Sequence, residues 1–200
     1  MTRTVGSSLP PRMPDVAAFE GNDAALLGAL AGIQARGAIG EASLTAAVAH
    51  ADQFVAALPG TVRCLADLGS GGGLPGLVIA LRRPDIKITL VERRRSRADL
   101  LQRAVLALQL GGHAQVFGDD VRELAAQRPN SFDVVTARSF AAPAVTARWA
   151  GELLNPDGFL VVSEPPESSP DRWPEAILQA VGLVDLGFLA GVRRFQKAAD

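Results

Sequence analysis

Asp67-Leu68-Gly69-Ser70-Gly71-Gly72-Gly73-Leu74-Pro75-Gly76 lies between a β-branched and apolar run, Val62–Leu68, and a helical pattern that Pro75 can open at its first position. Glycines at such a strand-to-helix turn let the backbone turn sharply and approach a ligand, and the helix start offers unpaired N–H groups. The spacing satisfies two patterns. Gly71, Gly73 and Gly76 fit the dinucleotide fingerprint G-x-G-x-x-G, whereas Asp67, Gly69, Gly71 and Gly73 fit the acidic-x-G-x-G-x-G loop of S-adenosylmethionine enzymes. The acid at the strand end favours the second. A carboxylate there can order the loop or meet the ammonium of a methionine moiety, and it would repel a pyrophosphate.

Working outward, short β-branched runs alternate with amphipathic stretches, the pattern of parallel βαβ units. Strands are expected at Val62–Leu68, Ile86–Glu92, Ala114–Phe117, Phe132–Ala137 and Gly158–Ser163, and helices near Pro75–Arg83, Arg97–Leu110, Asp120–Ala126 and Pro143–Leu154. A helix near Asp171–Val181 and an antiparallel edge pair, Leu183–Leu189 with Val192–Phe195, complete a doubly wound sheet. Upstream, Asn22 and Ser43 are expected to cap two helices that end at Gly37 and before Pro59-Gly60. The division is a tail over 1–21, a helical cap over 22–60 and the main domain over 61–200.

Glu92 ends the second strand, where an acidic side chain accepts hydrogen bonds from a ribose diol. Asp119 and Asp120 follow the third strand, where a carboxylate receives an adenine amino group or, alternatively, caps the next helix. The candidate cofactor residues are therefore Asp67, Gly69, Ser70, Gly71, Gly73, Leu74, Glu92, Arg93, Asp119, Asp120 and Arg138.

The 200 residues are 48% hydrophobic and 20% charged, the composition of a folded domain and not of a disordered chain. No apolar run is long enough for a bilayer, and no signal peptide is apparent, so a cytoplasmic location without membrane partners is expected. One cysteine, Cys64, and two histidines exclude a structural zinc cage, and no metal is expected. Twenty Lys plus Arg against 21 Asp plus Glu leave a net charge of −1, so nucleic acid must be met by a local patch. Arg93, Arg94, Arg95 and Arg97 are the only dense basic run, with Arg82, Arg83 and Lys87 near it in sequence; a solvated helix start is the alternative. His50 and His113 have no partner at triad or ligand spacing, and Cys64, Trp149 and Trp173 are expected to pack.

The glycine segment with its Leu-Pro-Gly ending, together with Phe132-Asp133-Val134-Val135-Thr136-Ala137-Arg138-Ser139-Phe140, resembles the small-subunit ribosomal RNA guanine-N7 methyltransferases, formerly glucose-inhibited division protein B. Thr89-Leu90-Val91-Glu92 with Arg97 and Leu100-Leu101 is also similar, and the resemblance runs from about Val62 to Gly158. It implies an α/β, Rossmann-like class I S-adenosylmethionine-dependent methyltransferase fold with a short N-terminal helical cap. It also implies S-adenosyl-L-methionine as cofactor and ribosomal RNA or the 30S subunit as partner. Where the family commonly has Lys-Gly after the fifth strand, this chain has Glu164-Pro165, and Gly118-Asp119-Asp120 replaces Gly-Arg-x-Glu-Glu. Arg138, after the fourth strand, is the candidate catalytic residue, orienting a guanine edge or a phosphate, with an ion pair to Asp133 or another carboxylate as the alternative. Guanine N7 needs no general base, and none is evident. A small-molecule acceptor and a non-catalytic cofactor-binding relative remain the competing readings.

Overall fold

The computed structural model describes residues 16–165 and 172–199, with side chains from Asp23 onward. Seven strands form one sheet in the order β3-β2-β1-β4-β5-β7-β6. β1 (Cys64–Leu68) is central, paired in parallel with β2 (Lys87–Val91) and β4 (Phe132–Ala137); both its faces are covered, which is why Leu65 to Leu68 are buried. β3 (Ala114–Phe117) and β5 (Leu154–Val162) extend the parallel part, and β6 (Leu183–Leu189) with β7 (Val192–Lys197) form the antiparallel edge. Chain order reverses between β1 and β4, so the loops leaving these two strands part and open a crevice at their C-terminal ends.

Helices α3 (Gly76–Arg82), α4 (Arg95–Ala107), α5 (Val121–Gln127) and α6 (Pro143–Leu153) connect the parallel strands. α2 (Leu44–Ala57) begins at the expected cap, Ser43 Oγ accepting from Ala46 N at 3.4 Å, and buries Val48, Ala51 and Phe54. These side chains join Leu26, Leu30 and Ile33 of α1 and Leu77, Ile88 and Leu90 of the α/β part in one hydrophobic cluster. The two N-terminal helices therefore share the main core; each fully buried Leu or Phe in it contributes about 1.5–3 kcal/mol. Arg82 bolts this contact from the α3 side, with Asp23 Oδ1 at 2.6 Å and Asp52 Oδ1 at 3.2 Å.

Four of the boundaries that differ from expectation have a local cause. α1 spans Val16–Gln34, so it starts six residues before Asn22, which sits inside the helix and is not its cap; residues 16–21 of the expected tail are helical, and its first 15 lie outside the described residues. The run Val16-Ala17-Ala18-Phe19-Glu20 carries helical propensity enough to continue through Gly21, whose interior cost is only about 1 kcal/mol. α4 begins at Arg95 and not Arg97, because Glu92 Oε1 accepts from Arg94 N at 2.8 Å and sets the turn earlier. β5 begins at Leu154, pairs with Phe132, then bulges before Phe159 pairs with Val134; Pro156 cannot donate to the ladder and Asp157 has φ +62°. α7 is only Glu175–Ala180, as Pro174 disfavours helix at the residue before it, and Asp171 lies outside the described residues. Gly37 does end α1, with φ +73° and its N–H on Gln34 O at 2.8 Å.

Candidate functional site

Five loops meet at the C-terminal edge of the parallel strands, and two adjoining cavities of about 450 and 530 Å³ lie among them, within the range of small-molecule sites. Gly69, Arg97 and Ser139 line both and form the wall between them. Glu92, Asp119, Val121, Phe140 and Trp149 face the first; Gly71, Leu74, His50, Arg138, Ser163 and Glu164 face the second.

The glycines after β1 do different things. Gly69 and Gly71 take φ of +63° and +53°, the left-handed region that L side chains avoid. A Cβ on Gly69 would meet Phe140 Cδ2 at 2.7 Å, so that glycine seats the loop after β4. On Gly72 it would strike Ile39, and on Gly73 it would run into Leu77, with Cγ at 2.7 Å. Those two admit the cap loop and the first turn of α3. At Gly71 alone of these four, the nearest atom is 3.6 Å away, and the space in front of it is the cavity.

Glu92 ties this loop to the next strand. Its Oε2 accepts from Gly71 N at 3.0 Å while Oε1 accepts from Arg94 N, and the residue is 6% exposed on the wall of the first cavity. Each carboxylate oxygen keeps a further lone pair.

Asp67 stands differently from its neighbours. It is 1% exposed and lines neither cavity; Oδ1 accepts from Thr136 Oγ1 at 2.7 Å, and Oδ2 lies against Gly76 at the start of α3 without an aligned hydrogen bond. Burial raises its pKa to about 6, against the Thr136 hydrogen bond and the Arg138 charge. Of the two roles open to it, its place in the β1–β4–α3 junction matches that of a group that orders the loop. Ser70 is likewise buried, its Oγ donating to Asp67 O at 2.9 Å.

Asp120 is the N-cap of α5, with Oδ1 accepting from Arg122 N at 3.0 Å, so the capping alternative holds for it. Asp119 accepts from Asp120 N at 2.7 Å, and both residues still line the first cavity beside Arg93, which approaches Asp120 Oδ2 at 3.9 Å.

Arg138 is half-buried and has no hydrogen bond or ion pair among the described residues. The ion pair with Asp133 does not form: that carboxylate accepts from Arg63 N, Cys64 N and Asn155 Nδ2 at 2.8, 2.9 and 3.0 Å. Burial lowers the Arg138 pKa, against the Asp67 charge, yet a guanidinium stays protonated. Ser139 beside it has φ +54°, a strained conformation at the junction of both cavities.

The basic run divides. Arg93 and Arg94 are exposed and Arg97 half-buried at the cavity mouths, and Arg95 is exposed beside them in sequence, whereas Arg82 binds Asp23 and Asp52, and Arg83 is bidentate on Asp85 at 2.8 Å through both nitrogens. Sequence proximity grouped cations that the fold separates and neutralises.

Three side chains gain importance that sequence spacing did not give them. His50, from α2, reaches the second cavity, where burial and then the Arg138 charge lower its pKa. Trp149 packs against the core as expected and also walls the first cavity, with the Arg148 guanidinium 4.7 Å from its ring centroid. Arg172 enters the second from beyond β5. Long-range placement alone brings them in, so no local signal announced them. Trp173 also packs as expected, 4.6 Å from the Phe195 ring, and His113 is engaged with Ala80 O at 2.9 Å.

Comparisons with known proteins meet this geometry from two sides. Among solved structures, an O-methyltransferase family protein from Burkholderia thailandensis superposes with TM-score 0.60 at 15% identity over 76% of this chain and 57% of its own. Cofactor-bound Rv0187 from MTB gives 0.63 at 18% identity over 96% and 100%. These likenesses establish the Rossmann-like class I methyltransferase fold. Among curated relatives, ribosomal RNA small subunit methyltransferase G of Salinispora tropica is 44% identical over 99 residues, 48% of this chain and 41% of the relative. The protein of that name from Neisseria meningitidis serogroup C (strain 053442) is 36% identical over 118 residues, 56% and 53%. The chain spans about half the length of the curated relatives it matches. The family model described as rRNA small subunit methyltransferase G, GidB, matches residues 44–164, which takes in α2, all five parallel strands and most of the residues that line the two cavities, though not Ala38, Pro165 or Arg172 of the second. The resemblance of the glycine loop and of the β4 segment thus extends over most of the sheet, and the chain belongs to the rRNA small subunit methyltransferase G family.

Proposed function

We propose that this chain is an S-adenosylmethionine-dependent methyltransferase acting on N7 of a guanine in small-subunit ribosomal RNA. The observation that carries the reading is the Gly71 amide held by Glu92 at the head of an open cavity, in a chain of this family. The residues present fit the cofactor: Gly71 leaves its cavity side clear, and Glu92 keeps lone pairs for a ribose diol. In this reading Gly69, Gly71 and Leu74 pass beneath the ligand, Arg93, Asp119 and Asp120 border the adenine side, and Asp67, Ser70 and Gly73 keep the loop in shape. S-adenosylmethionine, when bound, supplies an electrophilic methyl group. Arg138 then orients the acceptor, with no carboxylate competing for its donors. A guanine N7 lone pair is available without a base, so alignment is the chain's main contribution.

Arg93, Arg94, Arg95 and Arg97, at the rim, are the proposed phosphate contacts on the RNA or the 30S subunit. Among the described residues no helix is long and apolar enough to cross a membrane, which accords with the proposed cytoplasmic location. A small-molecule acceptor is the second reading, favoured by the net charge of −1. Calorimetry tests the cofactor: binding of S-adenosylhomocysteine without comparable binding of NAD is expected, and tight NAD binding in its place overturns the proposal.

A further inference from the structure

The second cavity holds two guanidiniums in unlike settings. Arg138 is unpartnered among the described residues, while Arg172 has Nε 3.1 Å from Glu164 Oε2. The Glu164 side chain is only 3% exposed, and its other oxygen accepts from Trp173 Nε1, in an indole that is itself buried on Phe195. A rim arginine, 37% exposed, is thus held by charge, without an aligned hydrogen bond, against a carboxylate that has little freedom of its own. Pairing at Nε leaves the terminal nitrogens of the fork for an acceptor in the cavity.

We propose that Arg172 is a phosphate contact for the acceptor nucleotide and that Glu164 is the positioning residue that holds its guanidinium over the second cavity. This rests on the ribosomal RNA reading above and names a part of that site which lies apart from the Arg93–Arg97 run. Arg138 lies deeper, beside the glycine loop, and Arg172 lies at the rim, so a nucleotide entering between α2 and the end of β5 meets Arg172 with its backbone and Arg138 with its base. Trp173 acts on the RNA only through Glu164.

The test separates positioning from bulk charge, because the two predict opposite signs. Removing an anion beside an RNA site tightens binding if only net charge matters. It weakens binding if the anion holds the contacting cation in place. Fluorescence anisotropy is to be measured with a single-stranded ribosomal RNA oligonucleotide and the full chain saturated with S-adenosylhomocysteine, over a salt series. Arg172→Ala is expected to weaken binding about 10-fold and to reduce the salt slope by about 0.7, one phosphate on a single strand. Glu164→Gln, which keeps an oxygen for the Trp173 indole, is expected to weaken binding several-fold. The double variant should be no weaker than Arg172→Ala, and Arg172→Lys should recover part of the slope but not the full affinity. S-adenosylhomocysteine affinity, measured on the same samples, should stay within about twofold of the parent, since no proposed cofactor residue is altered. Tighter or unchanged RNA binding by Glu164→Gln, or an unchanged slope in Arg172→Ala, overturns the proposal. So does a parent that binds no RNA at low salt; cofactor binding in that sample then shows whether the methyltransferase reading survives.

Discussion

Substituting alanine at Gly71 and, separately, at Gly73 tests whether the loop after β1 is shaped for a ligand or for its own packing. Both residues have positive φ, +53° and +93°, so each variant carries left-handed strain of about 1–2 kcal/mol. They differ in what the new methyl meets. At Gly71 the nearest atoms are Gly69 O at 3.6 Å, Arg97 Nη1 at 3.8 Å and Glu92 Oε2 at 4.0 Å, all ordinary contacts, so strain is the whole penalty. At Gly73 the methyl overlaps Leu77 and stands 3.2 Å from Leu101 Cδ2, and overpacking adds about 1–3 kcal/mol. Gly71→Ala should therefore lower Tm by about 2–8 °C, and Gly73→Ala by roughly twice that. Binding should rank the other way. The Gly71 methyl occupies the cavity and should weaken S-adenosylhomocysteine affinity by about 5- to 150-fold, the factor set by an overlap of about 1–3 kcal/mol. Folded Gly73→Ala, with its methyl turned into the α3 and α4 packing, should lose far less. Thermal melts and calorimetry on the two variants read both quantities. Parent-like affinity in Gly71→Ala would refute the reasoning, as would equal loss of stability in both.

Three further outcomes follow from the same structure. Asp67 is a carboxylate whose folded pKa is raised to about 6, so its contribution to stability is present at low pH and is lost as pH rises from about 4 through 6, a loss of about 3 kcal/mol. Thr136→Val removes the hydrogen bond that favours the ionised form and should destabilise more at pH 8 than at pH 5 in urea melts; the same loss at both pH values contradicts this. Arg138→Ala should leave Tm within about 2 °C, because no partner is stranded, while methyl transfer falls about 10- to 100-fold more than cofactor affinity; a matched fall in stability and activity would restore the structural role. Asp133, by contrast, is pushed up by burial but held below its ordinary value by the N–H groups of Arg63 and Cys64 and by Asn155, so its contribution is present above pH 4 and lost as pH falls through its depressed pKa. Asp133→Ala should lower stability by about 2–4 kcal/mol at pH 7 and by much less at pH 2, by circular dichroism melts.

Legibility followed the range of the interactions involved. β4 and the edge strands β3 and β6 have the boundaries that the sequence pattern predicts, because each is a short run of strand-forming residues ended by turn residues. The loop between β1 and α3 and the position of Glu92 were readable for the same reason: both are fixed by their distance from a strand end. What depends on a partner far along the chain was not. His50 and Arg172 stand 17 or more residues from the glycine loop on either side and meet it only through the fold. The division of the basic run turned on Asp23 and Asp52, which reach Arg82 from the two N-terminal helices. Asp67 was placed correctly at its strand end, but the direction of its side chain depends on Thr136 of β4, a neighbour that no local spacing reveals.

The central claim is that this chain places a methyl group on guanine N7 of small-subunit ribosomal RNA. It is tested most directly by incubating the purified protein with S-adenosylmethionine carrying an isotopically labelled methyl group and 30S subunits or naked ribosomal RNA from a strain that lacks the gene, followed by nucleoside mass spectrometry. The account predicts labelled 7-methylguanosine from the parent and its loss in Arg138→Ala. Transfer of label to another nucleoside, or to none while the cofactor is bound, would contradict it.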